Sequence, residues 1–263
     1  MQNSTAKIIN VPWNISGHWN YCDDGECGPC HWPNADGLQQ SPIDIVESEV
    51  KKTTNCEPMK FVNYHRILSG EIVNNGHSIQ ITPKGSSADL PEIFGGGLDQ
   101  VYQLSQYHFH WSQTDDAGSE HTVNGHRYPG ELHLVHIGAE NPEKIAVLAV
   151  FLELSNNDKA LKEECNIMER VHLPSKFYTI PNIKMEDKLP ANKSSFWRYN
   201  GSLTTPPCTE CVTWTVFTEP ISITKQQLEE FRKVQDSPGH LLEKNYRPVQ
   251  KLNEREVYEV VTE

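Results

Sequence analysis

The stretch "QYHFHWS", residues 106–112, decides how this chain is read. Two histidines, His108 and His110, stand two apart among aromatic neighbours. Side chains alternate along a strand, so both histidines and Gln106 share one face, while Phe109 takes the other. Alone, the pattern describes two half-buried histidines in a sheet. A second strand-like segment, "ELHLVHIGA" at 131–139, carries His133 two residues after Glu131. The intervening "TDDAGSEHTVNGHRYPG" is long enough for a turn and a further strand, which returns His133 to the side of the first pair. Three neutral imidazoles from neighbouring strands, with a fourth position open, make the catalytic type of zinc site; a structural site usually fills all four positions from the protein. A ligand imidazole also needs its second nitrogen held. Gln106 and Glu131 each precede a histidine by two residues and share its face, so each is placed to fix tautomer and ring direction. His121 and His136 fall outside this pattern and read as structural, each satisfied by a hydrogen bond.

Composition narrows the field around this site. Length of 263 residues suits one large domain or two small ones and allows a sizeable core. Apolar residues make up 37% and charged residues 22%, the balance of a soluble globular chain rather than a disordered one. A net charge of -12 argues against nucleic acid or an anionic membrane surface as partner. The longest apolar run, "IAVLAVFL" at 145–152, is too short to span a bilayer, so no transmembrane span is expected. The first ten residues, "MQNSTAKIIN", lack the pattern of a signal peptide. Asn3, Asn14, Asn192 and Asn200 each begin an Asn-x-Ser/Thr triplet, and seven cysteines are present, five of them in two clusters. Together these favour an extracellular or secretory protein carrying glycans and disulfides.

No internal repeat, low-complexity tract or linker divides the chain. "EIVNNGHSIQIT", "VYQLSQYHFHW", "ELHLVHIGA", "IAVLAVFLEL" and "CVTWTVF" are short, rich in β-branched and aromatic residues and bounded by turn signals, as strands are. Two segments read as helices. "NNDKALKEECNIMERV" at 156–171 places Leu161, Cys165 and Met168 at helical spacing. "TKQQLEEFRKV" opens on Thr224 with Gln227 three later, a capping box. The expected class is α+β, strand-dominated, in a single domain with peripheral helices.

With these motifs in view, the chain resembles the α-class carbonic anhydrases. The resemblance runs from about Trp13 to about Val260 and rests on "GHWNY", "QSPIDI", "NNGHS", "QYHFHWS", "GSEHTV", "ELHLVH" and "SLTTPPCTECVTW", in the family's order and at near-family spacing. It implies an N-terminal extension over 1–12 and a carbonic anhydrase domain over 13–263. It further implies a central twisted, mostly antiparallel sheet and a cleft with zinc at its base. The implied reaction is reversible hydration of carbon dioxide to bicarbonate and a proton, by attack of zinc-bound hydroxide. Sulfonamides and small anions are the inhibitors it implies; oligomeric state is left open.

Residue by residue, the resemblance gives zinc to His108, His110 and His133, with Gln106, Glu131 and the backbone carbonyl of Asn245 behind them. Thr204 matches the threonine that orients the nucleophile and Glu120 its carboxylate partner. Glu120 accepts from Thr204, so Thr204 can only accept from the nucleophile, which fixes its direction. Val135, Val147, Leu203 and Trp214 match the apolar wall for carbon dioxide, with Thr205 beside them. Tyr21 and Gln80 match groups that order water. His77 matches the proton-exporting histidine, a residue type that titrates near physiological pH. Cis bonds at Ser41–Pro42 and Pro206–Pro207 are also implied.

The cysteines invite rivals. "CGPCH" at 27–31 has the form of a c-type haem attachment and of a thioredoxin-like pair, but both sides of it are loop chemistry rather than strand and helix. A zinc ribbon from the two Cys-x-x-Cys pairs is a third rival. A non-catalytic binding module on the same fold is a fourth, and the retention of all three histidines speaks against it. Extracellular family members join a cysteine at the position of Cys208 to one near the N-terminus. This chain departs from them in offering three N-terminal candidates: Cys30 with Cys208 is one choice, which leaves Cys22 for Cys27, Cys56 for Cys165 and Cys211 free, and it stands among the 15 connectivities that six paired cysteines allow.

Overall fold

A run of eight buried residues in "IAVLAVFLEL" marks the middle of the molecule. Such a continuous apolar run is what a strand covered on both faces requires. The computed structural model describes residues 18–23, 25–53 and 56–262; the first five residues of the expected domain, and the Asn3 and Asn14 triplets, lie outside them. Ten strands run side by side: β1 (Lys51–Thr53), β2 (Ile67–Asn74), β3 (Ile79–Lys84), β4 (Tyr102–Trp111), β5 (Gly130–Gly138), β6 (Ile145–Leu154), β7 (Phe177–Lys184), β8 (Ser195–Gly201), β9 (Val212–Phe217) and β10 (Tyr258–Val261). Their order across the sheet is β7-β2-β3-β4-β5-β6-β9-β8-β10-β1. Neighbours are antiparallel except β6 with β9 and β10 with β1. Three short strands, Lys60–Val62, Glu92–Phe94 and Ile221–Ile223, complete a sheet of 13. The expected strand-dominated, mostly antiparallel architecture is found.

Each face of the sheet has its own core. On one face Tyr107, Phe109 and Trp111 of β4 pack with Leu132, Leu134, Leu148 and Phe217. Helix α2 (Lys225–Phe231) closes this side, with the Phe231 ring 4.9 Å from Phe109 and 5.4 Å from Trp111. Its capping box is present: Thr224 Oγ1 accepts from Gln227 N, and Gln227 Oε1 accepts from Thr224 N. The opposite face carries Val135, Val147, Trp197, Tyr199 and Trp214. It is the face that His108, His110 and His133 join.

The expected helix over 156–171 is instead three short turns. A 3₁₀ turn at Lys159–Leu161 runs into α1 (Lys162–Cys165), and a second 3₁₀ turn follows at Met168–Val171. Leu161, which precedes α1, leaves helical geometry, and no side chain caps α1 or the second 3₁₀ turn. The breaks let the segment bury Leu161, Met168 and Val171 and still turn Glu164 inward. There its carboxylate accepts from Tyr107 Oη at 2.6 Å and from Lys188 Nζ at 2.8 Å.

The expected disulfides are absent, because all seven cysteines are free. Cys208 is buried and Cys30 is exposed, its Sγ 3.9 Å from the Asp23 carbonyl. Cys22 and Cys27 lie in a loop closed by backbone bonds, Gly25 N to Cys22 O and Asn20 N to Cys27 O. The implied cis bonds at Ser41–Pro42 and Pro206–Pro207 are both present. No helix among the described residues is long and apolar enough to cross a membrane.

Candidate metal centre

Strand register builds the site. In the β4–β5 ladder Gln106 faces Val135, His108 faces His133 and His110 faces Glu131. Gln80 of β3 lies across from His108 on its other side, and Val147 of β6 across from Val135. Side chains of facing residues share a face, so one row of polar groups and one row of apolar groups stand side by side. A register shift between Leu104 and Gln106 precedes this row.

The three imidazoles converge, and their donor atoms lie within 4.8 Å of one another. Behind each ring stands an oxygen that accepts. His108 Nδ1 meets Gln106 Oε1 at 2.9 Å, His110 Nδ1 meets the Asn245 carbonyl at 2.7 Å, and His133 Nε2 meets Glu131 Oε1 at 2.6 Å. These partners put the ring protons on the outer nitrogens. The inner nitrogens, His108 Nε2, His110 Nε2 and His133 Nδ1, therefore turn lone pairs toward each other; the last two are only 3.1 Å apart. Facing lone pairs repel unless a cation lies between them. Burial disfavours protonation as the remedy: it holds His108 well below the usual histidine range, with His110 and His133 adding, and lowers His110 as well. Three neutral nitrogen donors of this kind fit Zn²⁺.

Glu131 ties the centre together. Burial pushes its carboxyl up, but His121 and His133 outweigh this and hold it well below the usual range. Its Oε1 also meets His121 Nδ1 at 2.6 Å, and its Oε2 accepts from the backbone of Glu120 at 2.9 Å and of His121 at 2.8 Å. His121 Nε2 continues to Tyr199 Oη at 2.7 Å, which donates to Ser41 Oγ at 2.9 Å. His136, the other histidine expected to be structural, meets Tyr64 Oη at 2.6 Å and the Leu134 carbonyl at 3.0 Å.

Glu120 is buried. Its Oε1 accepts from Arg247 N at 2.8 Å, while its Oε2 lies 3.4 Å from His110 Nε2 and has no hydrogen-bond partner. Thr204 is buried too, and among the described residues no hydrogen bond joins it to Glu120. Leu203 and Thr205 are half-buried beside it, with the Thr205 carbonyl accepting from Cys208 N at 2.9 Å. Trp214 packs its ring 4.9 Å from that of His133 and donates Nε1 to the Ser202 carbonyl.

Tyr21 is buried against Trp19 and Trp32, and burial raises its phenol well above its ordinary value. His77 stacks on Trp19 at 3.6 Å between centroids. Burial pushes its pKa down to about 4, His18 adds to this, and Asp236 opposes it. Sequence reasoning missed three features here: the Trp19 stack, the Arg247 amide on Glu120 and the His121–Tyr199–Ser41 chain. "GHWNY" and "GSEHTV" contained Trp19 and His121, but no spacing rule says which ring a side chain will touch.

The comparisons agree with this geometry. The family model for eukaryotic-type carbonic anhydrase matches residues 27–261. A putative carbonic anhydrase 3 of Caenorhabditis elegans is 55% identical over 247 residues, covering 94% of this chain and 99% of that protein. Carbonic anhydrase 7 of Homo sapiens is 37% identical over 264 residues, covering 92% and 98%. With three imidazoles poised for zinc on the central sheet, the chain belongs to the α-class, eukaryotic-type carbonic anhydrases, zinc enzymes that reversibly hydrate carbon dioxide to bicarbonate and a proton.

Proposed function

We propose that His108, His110 and His133 hold the zinc and that the residues around them divide the work of hydration. The observation that carries this assignment is the convergence of three inner nitrogens whose outer nitrogens are each held by an acceptor. When bound, zinc supplies a Lewis acid that makes water a nucleophile near neutral pH, behaviour established for carbonic anhydrases in general. Gln106, Glu131 and the Asn245 carbonyl keep the rings in the coordinating tautomer. An acceptor buried without a partner is costly, and Glu120 Oε2 is one. We assign the Thr204 hydroxyl as its donor in the working enzyme. Thr204 then has only acceptor capacity left, so it accepts a hydrogen bond from the attacking oxygen and turns that oxygen's lone pair toward carbon dioxide. Val135, Val147, Leu203 and Trp214 offer an apolar surface to a substrate without strong polar handles, and Thr205 stands at its edge. Tyr21 and Gln80 order the water that leads to His77; stacked on Trp19 its ring is a weak base, so it takes the proton and passes it to buffer when turned out of that stack into solvent.

Stopped-flow hydration of carbon dioxide tests the reading. Activity should vanish with a zinc chelator, return with added zinc and be blocked by a sulfonamide; chelator-resistant hydration would sink it. In the same assay Thr204→Ala should keep its zinc and lose about a hundredfold in rate, the scale of a lost orienting contact. An unchanged rate would remove Thr204 from the mechanism.

We place the protein in the secretory pathway on the strength of its four Asn-x-Ser/Thr triplets. Asn200 is exposed on β8, whereas Asn192 is half-buried with Oδ1 accepting from Ser194 N and Oγ. A drop in mass on glycosidase treatment of protein from its source supports this; an unmodified mass refutes it.

A further inference from the structure

The turn that carries His77 is fastened to the metal-facing strand by side chains rather than by the sheet. The β3–β4 ladder ends at the Gln80–His108 pair. Beyond it the chain turns away through Asn75–Ser78, a turn closed on itself. Asn75 Oδ1 accepts from His77 N at 2.9 Å and Ser78 N at 2.8 Å, and Gly76 takes a φ of +86° that favours glycine. Backbone groups of β4 past His108 thus lose their strand partner on this side.

Two side chains take its place, and both grip the peptide of Phe109, the residue between His108 and His110. Ser78 Oγ donates to the Phe109 carbonyl at 2.6 Å and accepts from Phe109 N at 3.2 Å, so one hydroxyl does the work of a ladder pair. Asn245 Nδ2 donates to the same carbonyl at 2.9 Å and to the His77 carbonyl at 3.1 Å. Asn245 Oδ1 accepts from Trp111 N at 2.7 Å, while its backbone carbonyl holds His110. Ser78 is 5% exposed and Asn245 fully buried, so water does not compete for these bonds.

We infer that Ser78, with Asn245 beside it, is a positioning residue for proton export: it sets the place of the His77 turn relative to the zinc imidazoles by fixing both to one peptide. This rests on the assignment of His77 as the proton carrier. Transfer through ordered water demands a fixed span between donor and acceptor, and misplacing a reacting group by about an ångström can cost a hundredfold. Attack on carbon dioxide makes no such demand on the turn.

The test is a cycle of Ser78→Ala, His77→Ala and the double variant, each assayed in weak buffer and with imidazole. Ser78→Ala should lower the turnover number roughly three- to tenfold in weak buffer, a part of that hundredfold scale. Its kcat/KM and zinc content should stay within about twofold, and imidazole should restore turnover by accepting the proton directly. Ser78→Thr, which keeps the hydroxyl, should recover turnover without imidazole. In the His77→Ala background Ser78→Ala should add nothing, since it acts only through that ring. Full turnover of Ser78→Ala in weak buffer overturns the inference. So does an equal loss in kcat/KM, or the same loss with and without His77. Full turnover of His77→Ala is a separate result: it removes the proton carrier itself, whatever Ser78 does.

Discussion

Replacing His133 with alanine is expected to abolish hydration and to weaken zinc binding by more than about a hundredfold, beyond the effect usual for losing an outer-shell partner. Two nitrogen donors remain, too few to hold the ion against water. The change also leaves Glu131 Oε1 with His121 as its one remaining partner, since that oxygen serves both rings. Zinc content after dialysis and the stopped-flow rate should fall together. A His133→Ala protein with full zinc occupancy and full rate would show that the ligand set is wrong.

Glu131→Ala should be the most destabilising single change at the centre. The carboxylate accepts four bonds, from His133 Nε2, His121 Nδ1 and the backbone N–H groups of Glu120 and His121, all fully or almost fully buried. Removing it strands every one of those donors. Breaking a buried pair by deleting one partner costs about 3–5 kcal/mol. Loss of the acceptor behind a ligand imidazole should also weaken zinc binding by about 10–100-fold. Denaturation of the zinc-free protein reads the first effect and metal competition the second. Stability within about 0.5 kcal/mol of the parent, the range of ordinary surface substitutions, together with unchanged zinc affinity, would mean that the network is dispensable.

The sheet was legible because its strands are short apolar or alternating runs, a signal that survives without tertiary context. "IAVLAVFLEL" is buried over eight residues because each face of the sheet carries a core there. Period two also placed His108 and His110 on one face, and the length of the loop after them allowed the return of His133. The segment 156–171 misled because Leu161, Cys165 and Met168 fit one helix as well as they fit three short turns. What separates the alternatives is the inward Glu164, bound by Lys188 and Tyr107, and no local pattern reveals a partner that far along the chain. Asn245 was reached through family resemblance alone, as its carbonyl has no sequence signature. The cysteines were read by compartment logic, which says where disulfides persist and nothing about whether two thiols of this fold meet.

The bond between His110 and the Asn245 carbonyl spans 135 residues of sequence. Small zinc modules gather their ligands from nearby residues, and the ion itself drives their folding. Here the tautomer of one ligand is set by a segment near the far end of the chain, so the pocket is assembled only when the whole sheet has closed and that segment has docked. Until that segment docks, the His110 ring on β4 lacks the acceptor that fixes its tautomer. Metal therefore arrives as a lock on a finished structure, adding to its persistence by mass action, rather than as the seed from which the structure grows.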